Sequence, residues 1–374
     1  MFTYNNIQTS NTYTNRSTSL RKNIFVTFSL RKHAISIIFI TFTVCLVIFS
    51  NSNLYAAKSG LKLWANNVIP SLFPFFIATN LLSHTNILTY ISKLFNKIMR
   101  PIFNVPGECA FAFILGLISG YPVGAKIVVD LRNSGLCTKD EADRMLCFTN
   151  NSGPLFIIGT VGITLFSNST IGILLLATHI LSALTIGILL GIISRFRKSN
   201  NPKYNNLKLN TYNKSSKKIC TFSNLGEVLS KAIFDSAKTI IMIGGFVVIF
   251  SVIISILNKS KILGLLSCAI YPVCNFFKID TAFASSIISG IIELTNGVSL
   301  VCNTANKAIS QNIIICAFLL GVGGFSVLLQ VLSIISKSDL SIKKYFYSKF
   351  IQGIIAALYT YILLNALPVF YLNL

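Results

Sequence analysis

The apolar residues of this chain are gathered into stretches of roughly 17 to 25 residues parted by short polar joints, the length that crosses about 30 Å of hydrocarbon as an α-helix. In lipid every peptide group must find its partner inside the segment, so such a chain folds as a helical bundle. Composition agrees. Of 374 residues, 53% are hydrophobic and 11% charged, more apolar surface than a globular domain of this length can hide. The expected fold class is an all-α polytopic membrane protein with about 7–9 transmembrane segments, its partner the lipid bilayer.

The net charge of +22 does not point to nucleic acid, because the cations are confined to the joints and the ends. They report topology. Between 195 and 231 lie Arg195, Arg197, Lys198, Lys203, Lys208, Lys214, Lys217, Lys218 and Lys231 against Glu227 alone, the strongest cytoplasmic signal in the chain. The nine cysteines form no C-x-x-C pair and read as small buried hydrophobes, so neither a disulfide framework nor a metal site is expected.

Residues 1–30 read as a disordered arm, 31–57 as an uncleaved signal anchor, and 58–194 and 232–374 as two repeats on either side of the basic linker 195–231. The further apolar segments are 64–82, 110–129, 145–166, 170–194, 232–257, 262–277, 281–300, 311–335 and 349–371. From a cytoplasmic Arg31 to a cytoplasmic Arg195 the number of crossings must be even, yet five apolar segments intervene. Segment 110–129 is the one that fails to cross, since Gly116, Gly120, Pro122 and Gly124 interrupt it and both flanks are basic. It is expected to be a re-entrant hairpin open to the cytoplasm. In the second half 232–257 crosses outward, 281–300 re-enters from outside, and 311–335 returns, with 262–277 and 93–105 interfacial. This is the first half inverted, and Ile118-Ser119-Gly120 recurs as Ile288-Ser289-Gly290. Inverted repeats with broken helices near the bilayer midplane mark secondary transporters.

Four groups of residues carry the candidate chemistry. Ser119, Gly120, Tyr121, Pro122, Gly124 and Lys126 combine a bent backbone with a cation at membrane depth; Lys126 either holds an anionic substrate or snorkels from a helix end. Asn150, Asn151, Ser152 and Gly153 either bind substrate or a cation, or cap a helix begun at Pro154. Glu293, with Thr295 and Asn296, puts a carboxylate inside an apolar segment, where it accepts a proton, binds a metal ion or pairs with Lys126, or else pairs structurally with Lys238. Gln330 is a pore-lining candidate, and Gly321, Gly323 and Gly324 read as helix-packing glycines. The mixed-charge stretch from Asp130 to Arg144 reads as a solvated cytoplasmic loop without chemistry. No P-loop, H-E-x-x-H or G-x-S-x-G motif is present, so no enzyme activity and no cofactor is expected.

The run Gly60-Leu61 … Trp64 … Ile69-Pro70-Ser71-Leu72-Phe73-Pro74, followed by Phe103-Asn104-Val105-Pro106-Gly107-Glu108, Gly116 to Lys126 and Phe148 to Phe156, resembles the sporulation integral membrane protein family of the YlbJ type. The resemblance continues more loosely through Ile243-Gly244-Gly245-Phe246 and Gly290 to Thr295. Members of that family resemble the Gate proteins of nucleoside recognition, which are similar to concentrative nucleoside transporters. The resemblance implies transport of dipicolinic acid across the outer forespore membrane, with a possible coupling ion. A non-transporting scaffold or gate subunit that assembles with other sporulation membrane proteins, or as an oligomer, is the competing class.

Overall fold

Helices supply the regular structure of the described residues 33–85, 87–199, 224–304, 309–336 and 338–366 of the computed structural model. The N-terminal arm and most of the basic linker lie outside them. The chain divides into two units, Met1–Leu54 and Tyr55–Leu374. The first holds helix α1 (His33–Ile48), whose apolar side chains are mostly exposed, as suits a helix whose solvent is lipid.

The rest of the chain forms α2 (Ser50–Leu63), a π-helical turn at Trp64–Val68, α3 (Ile69–Ser83), α4 (Ile87–Ile98), a second π turn at Met99–Phe103, α5 (Cys109–Ser119), α6 (Val123–Asn133), α7 (Lys139–Thr149), a π-helix at Leu155–Leu165, α8 (Ser169–Ser199) and α9 (Leu225–Lys259). Then follow α10 (Ile262–Phe276), α11 (Ala284–Ile292), α12 (Leu294–Cys302), α13 (Ile309–Val322), α14 (Gly324–Ile335) and α15 (Ile342–Ala366). Among the described residues four stretches are long and apolar enough to cross a bilayer, Ser169–Phe196, Leu225–Lys259, Ile309–Ile335 and Ile342–Ala366, and a fifth results only if His33–Ile48 and Ser50–Asn66 count as one. Length alone therefore gives four or five spans. Several expected segments are shorter because polar breaks divide them.

Segment 110–129 is divided at Gly120-Tyr121-Pro122, and α5 folds back on α6. Gly120 has φ +78°, open to glycine at no steric cost. Gly116 and Gly124 let the two legs meet against the Thr149 carbonyl, a contact that leaves no room for a Cβ. Segment 281–300 is divided in the same way at Glu293, and Gly297 on α12 packs on the Gly290 backbone of α11.

The two other interrupted stretches continue instead of folding back. Residues 150–153 separate α7 from the π-helix at 155–165, and α8 runs antiparallel along both legs: Gly172 meets Gly162, and Gly187 meets Phe148. Between α13 and α14 the backbone breaks at Gly323 and Gly324, both with φ +78°. Helix α15 lies along both of those legs, with Gly353 against Gly321 and Phe346 beside Phe325 at 6.3 Å. Of the glycines read as packing residues, Gly321 packs. Gly323 and Gly324 break the helix at a φ that L side chains rarely adopt, and Gly324 also packs, against the Gly290 carbonyl.

Local signals account for other boundaries. Helix α7 opens on a capping box, Thr138 Oγ1 accepting from Glu141 N while Glu141 Oε2 accepts from Thr138 N at 2.9 Å. The stretch read as a solvated loop is thus partly a buried helix. Glu141 pairs with Arg100 at 3.1 Å, Asp143 with Lys344 at 3.2 Å, and Arg144 donates to the Asn104 carbonyl at 2.7 Å. Helix α15 begins seven residues before the expected 349, so its first turns carry Lys343, Lys344, Tyr345 and Lys349. Elsewhere α9 is fastened to the N-terminal side of this unit by Trp64 Nε1 donating to Ile240 O at 3.0 Å and by the indole seated on Gly244.

Candidate functional site

Three of the four interruptions line one cavity of about 40 Å³, and α14, which follows the fourth, adds to its wall. The break between α5 and α6 contributes Gly120 and Tyr121, and the break after α7 contributes Ser152 and Gly153. From the second half come Glu293, Leu294 and Thr295 at the α11–α12 break and Ser326, Val327 and Gln330 at the start of α14. Val68 at the end of the first π turn and Leu72 from α3, with Ile243 and Val247 from α9, close the apolar side. The breaks also touch directly. A Cβ on Gly120 would stand 2.8 Å from Gly153 N, and one on Gly324 2.9 Å from the Gly290 carbonyl. Irregular backbone at membrane depth is tolerated only where it is buried in protein or lines a cavity, and here it does both.

The lining is amphipathic. Tyr121 Oη accepts from Ser152 Oγ at 3.0 Å, joining the first two breaks. Glu293, 3% exposed, uses Oε2 to accept from Asn296 N at 2.7 Å and so caps α12. It forms no ion pair among the described residues, with neither Lys126 nor Lys238. Gln330 Nε2 donates to Ser326 Oγ at 3.4 Å, and its Oε1 has no partner.

Seven of the residues singled out from the sequence line the cavity: Gly120, Tyr121, Ser152, Gly153, Glu293, Thr295 and Gln330. The others surround it. Ser119 is fully buried with its Oγ unpartnered, as is Ser289 at the matching place in α11. Pro122 and Gly124 are buried behind the break, Lys126 is half-buried outside the lining, and Asn296 Nδ2 donates to Ser251 Oγ on α9 at 3.0 Å. Asn150 caps no helix begun at Pro154. Its Oδ1 accepts from Ala125 N at 3.4 Å near the start of α6, and its Nδ2 donates to Tyr345 Oη at 2.8 Å. Asn151 Oδ1 accepts from Lys349 Nζ at 3.1 Å and from Gln352 Nε2 at 3.0 Å.

Sequence reasoning missed the group that holds these asparagines. Tyr345, Lys349 and Gln352 follow one another at helical spacing on the buried face of α15, and His179 on α8 accepts from Ser152 N through Nε2 at 3.1 Å. Spacings of four and three residues are the signal that would have found the first three.

The arrangement combines four broken backbones, a buried carboxylate, amides and hydroxyls around a small internal space. No nucleophile and base are paired there. Comparison with known proteins agrees with a membrane role. Residues 65–196 match the Gate family, described as nucleoside recognition. No solved structure matches. Over 330 residues, 87% of this chain and 81% of the relative, the sequence is 34% identical to the sporulation integral membrane protein YlbJ of Bacillus subtilis (strain 168). With that identity spread along nearly its whole length, the chain belongs to the YlbJ family of sporulation integral membrane proteins.

Proposed function

We propose that this protein is a secondary carrier of a small anionic metabolite, with dipicolinic acid the leading substrate and the outer forespore membrane its place of work. The convergence of three helix breaks on one cavity, with the fourth packed against the α11–α12 break, carries the reading, because broken helices expose peptide groups for a ligand where lipid otherwise forbids them. A cavity of about 40 Å³ has room for a few waters, whereas ligand pockets run to about 300 Å³ or more. Loading therefore widens it, as alternating access demands.

An inverted relation between the two halves belongs to the same reading, and one geometric argument supports it. Arg132 Nε and Nη2 reach Asp339 Oδ1 and Oδ2 at 3.1 and 2.9 Å, and Lys344 reaches Asp140 and Asp143. The joint before α7 thus adjoins the joint after α14. The first broken helix starts there and the second ends there, so the two run in opposite directions.

The test is uptake of radiolabelled dipicolinate into vesicles containing the purified protein, with and without an imposed proton gradient. Saturable uptake absent from empty vesicles is expected. Correctly inserted protein that neither binds nor accumulates dipicolinate would leave the scaffold role in its place.

A further inference from the structure

The cavity presents a difficulty for an anion. Its one ionisable carboxyl group, Glu293, faces the ligand, and no cationic side chain is in its lining. The compensating charge lies one residue behind the wall. Lys349 is 5% exposed, and its Nζ donates to Asn151 Oδ1 at 3.1 Å and to Gln352 Oε1 at 2.8 Å. Among the described residues no carboxylate pairs with it. Burying an ammonium without a counter-ion is costly, and two amide oxygens offset only part of that cost. The Tyr345 ring, with its centroid 5.8 Å from Nζ, adds a weak cation–π contact.

The neighbouring groups add no negative charge. His179 Nε2 accepts from Ser152 N, which makes the imidazole neutral with its proton on Nδ1, a buried position without a partner. Asn151 carries the ammonium on its side chain, and the next two residues, Ser152 and Gly153, form the cavity wall. The Lys349 side chain is thus held behind the break by a fully buried amide that cannot turn away, since its Nδ2 is held by the Phe148 carbonyl at 2.6 Å.

We propose that Lys349 is the positioning residue that makes the cavity select anions, acting through Asn151 on the Ser152–Gly153 wall. This rests on the carrier reading above. An anion in the cavity and the ammonium behind it stabilise each other through a few ångströms of dry protein, where the field is weakly screened. Lys126, outside the lining, is not required.

The experiment measures binding to protein in lipid nanodiscs by titration calorimetry with two ligands of nearly equal shape, dipicolinate and its uncharged diamide, pyridine-2,6-dicarboxamide. Wild type and Lys349→Arg are expected to prefer the dicarboxylate. Lys349→Gln is expected to lose at least about tenfold in dicarboxylate affinity, with the diamide changed less than about threefold. Gln352→Glu, which keeps the lysine and places a counter-charge beside it, is expected to give the same loss, and it decides the matter if Lys349→Gln does not fold. Equal losses for both ligands, or an unchanged preference in the folded variants, overturns the proposal. Failure of wild type to bind either ligand would instead defeat the carrier reading, and this inference with it.

Discussion

Replacing Gly124 by Ala tests whether the first hairpin is pressed on the break that forms the cavity wall. A Cβ there would stand 2.8 Å from the Thr149 carbonyl carbon and 2.9 Å from Asn150 Cα, and closer still to the Thr149 oxygen. Ordinary contact begins near 3.4 Å, so α6 and the Thr149 carbonyl must part by about an ångström. The obstacle is backbone, which has no rotamer to change. Overpacking of this kind costs about 1–3 kcal/mol, while Gly to Ala in an unobstructed helix gains up to about 1 kcal/mol. Gly264 on α10 provides the control, since a Cβ there meets nothing within 4 Å. The two variants should therefore differ by about 1–4 kcal/mol. At a few degrees per kcal/mol, that is a gap in melting temperature of at least about 2 °C, with Gly264→Ala the higher. The fluorescence of Trp64, the single tryptophan, reports unfolding in detergent. A Gly124→Ala protein that melts with or above Gly264→Ala would refute the close approach.

Two further outcomes follow from the charged joints. Cysteines placed at Ser134 and Ser338 should react with a membrane-impermeant maleimide from the same face of sealed vesicles, because Arg132–Asp339 ties their two loops together; labelling from opposite faces would break the topology. The Arg132 guanidinium beside Asp339 holds its carboxyl below the ordinary value of 3.8. The pair's stabilisation is therefore present above about pH 4 and lost as pH falls through the folded value. Both side chains are partly exposed, at 29% and 46%, so Asp339→Asn should cost less than about 1 kcal/mol at pH 7. The gap from wild type should narrow progressively as pH falls below 3.8 and shrink in 1 M salt, and a gap that widens on acidification would contradict this.

The hairpin breaks were legible where residue chemistry admits one interpretation. Gly120 and Pro122 cannot both continue a helix, and a carboxylate at 293 inside an apolar run had to mark an exceptional place. The Gly321 to Gly324 run was ambiguous because small residues serve close packing and chain reversal equally; φ decides, and φ is not written in one sequence. Lys126 drew attention by following the first break directly. Lys349 escaped because a lysine at the edge of an apolar stretch ordinarily marks the end of a span, and only the early start of α15 at Ile342 brings it inside. The charges of α7 misled in the opposite direction. Asp140, Glu141, Asp143 and Arg144 each have a partner on a distant segment, Arg100, Asn104 or Lys344, that local reading cannot see.

Glu293 has two employments at once, as lid on the first turn of α12 and as a surface of the chamber. A proton taken up on Oε2, or a group bound there, weakens the bond from the Asn296 amide that caps this nine-residue helix, which has little length over which to absorb the loss.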